Sequence, residues 1–429
     1  MPSSRGLAAL LLMAMSCGAR ADDIAACARA LAAPLPLAAI DERVRCNRDV
    51  IASERAVDAA RADLRTAGQR QNPNLTLGVG SINPAAGIGT GTLRDKAVDS
   101  SARIDQVVER GNKVGLRVAQ AQAAFDAARA DLADQMRQQR AAARSAFFDV
   151  AAAQAKVAAQ REAGSLAQQS AEAARRRVDA GEISRNEANR FRLDAARAAN
   201  DLRQAEADAL RARAELARLL GAESSALQLE VRPEWPTLLP DRRSGDRADV
   251  AAARKRVAAA ESGRDLARAL GTRDVTVGVQ ADHYPVTAAN TNGNGNFFGI
   301  SVSVPLFVAH AHEGEKARAL ADVETARAVL QRTEAAAASE AAIALEDWRT
   351  AVERRRRLET ESAPLAREVA DGAEFAYLKG ASGILDLLDA RRTLKSAQVE
   401  ELQALADEAK AWARYLAAIE PYEEKPDAP

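Results

Sequence analysis

Aromatic residues make up only 3% of this 429-residue chain, and histidine and cysteine occur three times each. So few rings cannot build a thick globular core, and they leave no stacking platform for bases. Charge of neither sign is in excess, with 60 Lys+Arg against 60 Asp+Glu. No basic field therefore recruits nucleic acid. His310 and His312 are two apart and His283 stands near them, but no cysteine or carboxylate cluster completes a metal site at useful spacing. A glycine-rich phosphate loop is missing, as is a Ser/His/Asp arrangement. These absences predict no enzyme, no cofactor and no resident metal. Beyond residue 21 no run of 18 apolar residues exists, which excludes a transmembrane helix. A secreted chain of this kind is soluble, exported, or inserted as a β-barrel.

The secretion reading comes from residues 1–21. Arg5 supplies a positive start, Leu7 to Met15 a short apolar run, and Ala19-Arg20-Ala21 a small-x-small cleavage site. Cys17 lies inside that leader, and Ala14-Met15-Ser16 before it lacks the leucine of a lipidation site. Cys27 and Cys46 remain, an even pair for an oxidising compartment, and the expectation is a disulfide between them. The alternative is two free buried thiols.

What the chain has instead is alanine, charge and a duplication. Leu75-Thr76-Leu77-Gly78-Val79 returns as Val275-Thr276-Val277-Gly278-Val279, and Val178-Asp179-Ala180-Gly181 is echoed by Tyr377-Leu378-Lys379-Gly380. Arg192 aligns with Arg391 on the same offset. The interval exceeds solenoid periods, so a whole folding unit is repeated. The predicted organisation is a leader (1–21), a first repeat (22–221), a linker (222–248), a second repeat (249–420) and a tail (421–429). The linker carries Pro233, Pro236, Pro240 and Gly245.

Each repeat reads as a helix followed by two strands of strict alternation, at about 74–83 and 100–107, then 274–282 and 297–306. Leu75, Leu77 and Val79 face one way, as do Phe298, Ile300, Val302 and Val304. Turn formers fill 84–98 and 285–295, which predicts two hairpins. The lengths suit a tilted membrane strand. Ordinary hairpins packed on soluble helices are the alternative. Four strands cannot close a membrane barrel, so strands facing lipid require several chains to share one.

Each repeat then continues as a very long helical hairpin. No proline occurs between Pro84 and Pro233, and from Lys113 to Asp179 the only glycines are Gly115 and Gly164. A helix over that span is about 100 Å long. It returns through about Ser184–Leu220; the second copy runs from about Glu313 to Leu378 and returns through Ile384–Glu420. Such helices must pack as coiled coil. Basic runs such as Arg354 to Arg357 read as solvated surface. Pro364, matched by Ser165 in the first copy, predicts a bend or a local break.

This order resembles the TolC-type outer-membrane efflux channels. The stretches that carry the resemblance are Asn72-Pro73-Asn74-Leu75, Gly181-Glu182-Ile183-Ser184, Gly380-Ala381-Ser382-Gly383 and Leu385-Asp386-Leu387-Leu388-Asp389-Ala390. Ile104-Asp105-Gln106 with Glu109-Arg110-Gly111-Asn112-Lys113 is similar to the heavy-metal subgroup of cobalt–zinc–cadmium and copper–silver outer-membrane factors. Asn112 and Val114 depart from that subgroup's pattern. The resemblance implies a homotrimer in outer-membrane lipid. Four strands per chain would form a twelve-stranded barrel, and four long helices a periplasmic tunnel. The tunnel would dock on a periplasmic adaptor (membrane fusion protein) joined to an inner-membrane, proton-driven RND pump, with metal cations as cargo. The N-terminal segment and 222–248 would form a belt around the tunnel. Drug or type I polypeptide export is an alternative, and a periplasmic coiled-coil adaptor a second.

The expected functional residues are then mechanical. Gly181 and Gly380, with Ser184 and Ser382, mark the helical-tip turns where an adaptor would dock. Asp386 and Asp389 share one helix face. By resemblance that face lines the closed tip, where three chains would gather a ring of carboxylates favouring cations. The alternative places both on an outer, solvated face. Glu187 holds the comparable position in the first copy.

Overall fold

The computed structural model describes Cys27 and residues 34–80, 82, 98–236, 245–284 and 295–424. The expected leader, the two turn-rich loops and the end of the tail lie outside the described residues, as does part of the 222–248 linker.

The long proline-free stretches are helical as their composition dictates. In chain order, α1 (Ala38–Arg43) and α2 (Arg48–Ala67) precede β1 (Asn74–Gly80) and β2 (Asp99–Val108). The 67-residue helix α3 (Lys113–Asp179) follows, returning through α4 (Arg185–Leu219). The second copy gives α5 (Ala248–Ala269), β3 (Val275–Tyr284), β4 (Gly295–Ser303) and α6 (Glu313–Arg357). A π-helical segment, Leu358–Ser362, then leads into α7 (Ala363–Leu378), and α8 (Ile384–Ile419) returns. The chain is mostly helical with four antiparallel strands.

The π segment sits immediately before Pro364, which occupies the first turn of α7. Proline has no N–H, and its ring crowds the carbonyl four residues back. Widening the preceding turn relieves that conflict, and the first-turn position needs no N–H.

Two compact units emerge, each drawing on both copies. One takes the chain up to Arg55 with Ala130–Val250 and Glu334–Pro429; the other takes Ala56–Arg129 and Ala251–Thr333.

The first unit holds the main core. Phe147 and Phe148 are fully buried on α3, among Leu216 of α4, Leu220 just after it, and Ile40 and Val44 near the N-terminus. Trp235 stacks on Phe148 at 5.9 Å between centroids, and Trp412 meets it edge-on at 6.5 Å. Four of the chain's few aromatics are thus gathered in this core. Leu35 forms a parallel bridge with Val231, its N–H donating to the Glu230 carbonyl at 2.8 Å. A disulfide joins Cys27 to Cys46. Gly221 (φ +61°) ends α4 against this region, and a Cβ there would lie 2.2 Å from the Cys46 carbonyl oxygen.

The second unit holds one sheet of order β1-β2-β3-β4, antiparallel throughout. β4 ends at Ser303, short of the expected 306. Pro305 cannot donate to a ladder, so pairing stops as it is approached.

Candidate functional site

Strand register assigns the two faces of the sheet. Leu75 pairs with Ile104, Ile104 with Val279, and Val279 with Ile300. One step along, Leu77, Ala102, Ala281 and Phe298 form a second row, and Val277 with Val302 a third. These apolar rows are exposed: Leu77 by 71%, Ile300 and Phe298 by 82% each. A continuous apolar face of this extent, uncovered in water, marks a surface that meets apolar surroundings.

The opposite face is polar or small. Thr76, Arg103, Gln280 and Gly299 make one row; Asn74, Asp105, Gly278 and Ser301 make another. The Arg103 guanidinium donates to Asp105 at 2.8 Å and to Ser301 Oγ at 3.1 Å, linking β2 to β4 across β3. Gly278 lies beneath that bridge; a Cβ there would sit 2.4 Å from both Asp105 Oδ1 and Ser301 Oγ. Any Cβ there would have to push those side chains aside.

Where β2 runs into α3, Gly111 (φ +73°) and Asn112 (φ +55°) turn the chain. The buried Lys113 ammonium donates to the Thr272 carbonyl and to Asp274, both at 2.8 Å. Arg117 donates to Glu109 at 2.9 Å. That hydrogen bonding holds the Glu109 carboxyl below the usual range against the opposing effect of burial. Burial pushes on Asp274 the same way, and the Lys113 and Arg110 N–H donors overcome it, so its carboxyl is also lowered.

In the first unit the helical tips repeat one construction. Gly181 (φ +77°) and Gly380 (φ +73°) terminate α3 and α7. Glu182 N–H donates to the Arg177 carbonyl and Ala381 N–H to the Ala376 carbonyl, each at 2.8 Å. Both are glycine-ended helix stops of the Schellman type. Ser184 caps α4, its Oγ accepting the Glu187 N–H at 3.1 Å. In the second copy Gly383 takes the cap position, and the Asp386 carboxylate accepts its N–H at 3.3 Å instead. The Ser382 hydroxyl is buried without a partner. Ala171, Ala174, Phe191, Ile384 and Leu387 pack the tips together. Tyr377 joins them, donating its hydroxyl to Glu187 at 3.0 Å across the two hairpins. Burial, then that bond to Glu187, raises the phenol above its usual range.

Asp386 and Asp389 are both exposed on α8, and they do not stand alone. They line a groove of about 500 Å³ with Arg392 of the same helix and Arg190, Leu193 and Arg197 of α4. Three guanidiniums therefore share the wall with the two carboxylates. The sequence reading missed Arg190 and Arg197 because they belong to a different hairpin. The spacing of Arg190, Leu193 and Arg197, one helix face beside the tip turn, was the available signal.

His312 Nδ1 lies 3.3 Å from Glu315, and the His310 and His312 rings are 5.5 Å apart. Among the described residues no group of three or more histidines, cysteines and acids is placed to hold a metal. Nor is any described helix long and apolar enough to cross a membrane.

A family model described as "Outer membrane efflux protein" matches residues 40–222 and 239–419. The fold is similar to VceC of Vibrio cholerae, an outer membrane protein, at TM-score 0.72 and 19% identity over 89% of this chain and 95% of that one. The CmeC outer membrane channel of Campylobacter jejuni superposes at 0.74 with 15% identity, covering 89% and 84%. CusC, whose structures concern transmembrane channel formation, does so at 0.72 with 16% identity, covering 90% and 92%. No curated protein matches the chain by sequence.

Proposed function

Because the chain belongs to the outer membrane efflux protein family, we propose that it is the exit duct of a tripartite efflux assembly. Three copies contribute four strands each to one barrel, and their long helices continue it as a periplasmic tunnel. A periplasmic adaptor docks at the helical tips around Gly181, Ser184, Gly380 and Ser382, and an inner-membrane RND pump drives the transport. The observation that carries this reading is the two-faced sheet. Its exposed apolar rows suit lipid, its opposite rows of Thr76, Arg103, Gln280, Asp105 and Ser301 suit a wet interior, and four strands are too few to close alone. Residues 222–248, tied to the N-terminal segment through Leu35 and Val231, serve as a belt around the tunnel.

Metal-cation cargo rested on the 104–113 stretch. Here Asp105 pairs with Arg103, Glu109 with Arg117 and Lys113 with Asp274. These residues build a strand-to-helix junction, so they carry no argument for a cargo, and metal export rests on the resemblance alone. At the tip, Asp386 and Asp389 form the gate, and the bond from Tyr377 to Glu187 holds the two hairpins together. Membrane fractionation tests the duct directly. The mature protein is expected in the outer-membrane pellet as an SDS-sensitive trimer with heat-modifiable mobility. Recovery as a monomer soluble without detergent would refute it. Neutralising Asp386 and Asp389 together is expected to change single-channel conductance and cation block in planar bilayers; unchanged traces remove the gate.

A further inference from the structure

We propose that the groove between α4 and α8 is a binding site for amphiphilic anions: small molecules with an apolar body and one carboxylate, sulfonate or phosphate. Among the described residues neither Arg190 nor Arg197 has a carboxylate within ion-pair distance, and Arg392 reaches Asp194 only at 3.9 Å. A guanidinium presents a planar fork of donors that matches an oxyanion. Leu193 and Leu385, exposed by 52% and 60%, supply the apolar part of a wall that is otherwise charged. The volume, about 500 Å³, suits a ring system carrying an acid group. The Asp386 carboxylate accepts the Gly383 N–H at 3.3 Å and keeps its charge, so the two acids leave one net positive charge among the three guanidiniums. Asp389 remains as the one free acid and selects against a second negative charge on the ligand.

That the groove lies on the transport path rests on the duct reading above; binding itself does not. The test is calorimetry on the full chain in dodecyl maltoside, with naphthalene-2-sulfonate as the anion and 2-naphthalenemethanol as its neutral counterpart. The sulfonate is expected to bind one per chain, and the alcohol more weakly. The Arg190→Gln, Arg197→Gln double variant is expected to weaken the sulfonate about tenfold, as loss of charge-assisted hydrogen bonds does, with the alcohol unchanged. Sodium sulfate should displace the sulfonate from the unaltered protein, which keeps the proposal testable should the variant misfold. Equal affinity for both probes, no binding of either, or indifference to sulfate overturns the site. Planar-bilayer current, recorded in parallel, decides the duct reading separately: a chain that binds the sulfonate and conducts nothing keeps the site and loses the channel.

Discussion

Replacing Ile300 by arginine isolates the claim that one face of the sheet meets lipid. Ile300 ends the row Leu75–Ile104–Val279–Ile300, partway along β4, and is 82% exposed. Losing the isoleucine forgoes about 2 kcal/mol of apolar transfer. Placing an arginine near the bilayer midplane costs about 2–4 kcal/mol more. The sum is about 4–6 kcal/mol per chain and three times that in a trimer, enough to prevent assembly. Gly299→Arg supplies the control. It adds the same group at the same depth on the polar face, where a Cβ meets nothing within 4 Å. The assay is recovery of heat-modifiable oligomer from the outer-membrane fraction. Ile300→Arg should abolish it while Gly299→Arg leaves it near the unaltered level. Equal recovery of both would show that the two faces do not differ in surroundings, and the barrel argument would fail.

Three further outcomes follow from the described contacts. Gly278→Ala should push apart the Asp105–Arg103–Ser301 bridge and destabilise the sheet by about 1–3 kcal/mol, seen as a lower temperature of oligomer dissociation on gels. Replacing Cys27 and Cys46 by serine removes a crosslink of sequence separation 19 and should cost about 3 kcal/mol by loop entropy; an unchanged thermal midpoint, with and without reductant, would contradict this. Glu109 and Asp274 have lowered carboxyls, so their contribution is complete above the ordinary carboxylate range and disappears as pH falls through the lowered values. Glu109→Gln should therefore flatten the acid limb of thermal stability and lower the plateau by about 1 kcal/mol; an acid limb as steep as before would refute it.

The strands were legible because alternation of period two leaves few competing interpretations, and the long helices because proline and glycine punctuate the chain so sparsely. Gly181 and Gly380 were readable as helix stops for the same reason, and each does adopt positive φ. The break at Pro364 was readable from the proline, though not its π form; less visible was the early end of β4 before Pro305. The pairing of Leu35 with Val231 escaped notice because an isolated bridge has no periodicity. The tip illustrates a deeper limit. Spacing put Asp386 and Asp389 on one helix face, but periodicity within α8 says nothing about which side chains α4 brings against it. Arg190 and Arg197 change the electrostatic character of that face, and only packing reveals them. The junction motif shows the converse, since residues that looked like a cargo signature are occupied in holding β2, α3 and β3 together.

The outermost strands of the sheet, β1 and β4, each have a neighbour on one side only. In hydrocarbon every unpaired peptide group along such a rim is penalised by several kcal/mol. Solitary insertion is therefore barred, and sealing of the rims must accompany entry into the bilayer. The route becomes dependent on encounter: halving synthesis slows a rate-limiting three-chain encounter to about an eighth. One copy with a damaged rim would likewise spoil any cylinder that includes it, so such an allele would act dominantly over its intact counterpart.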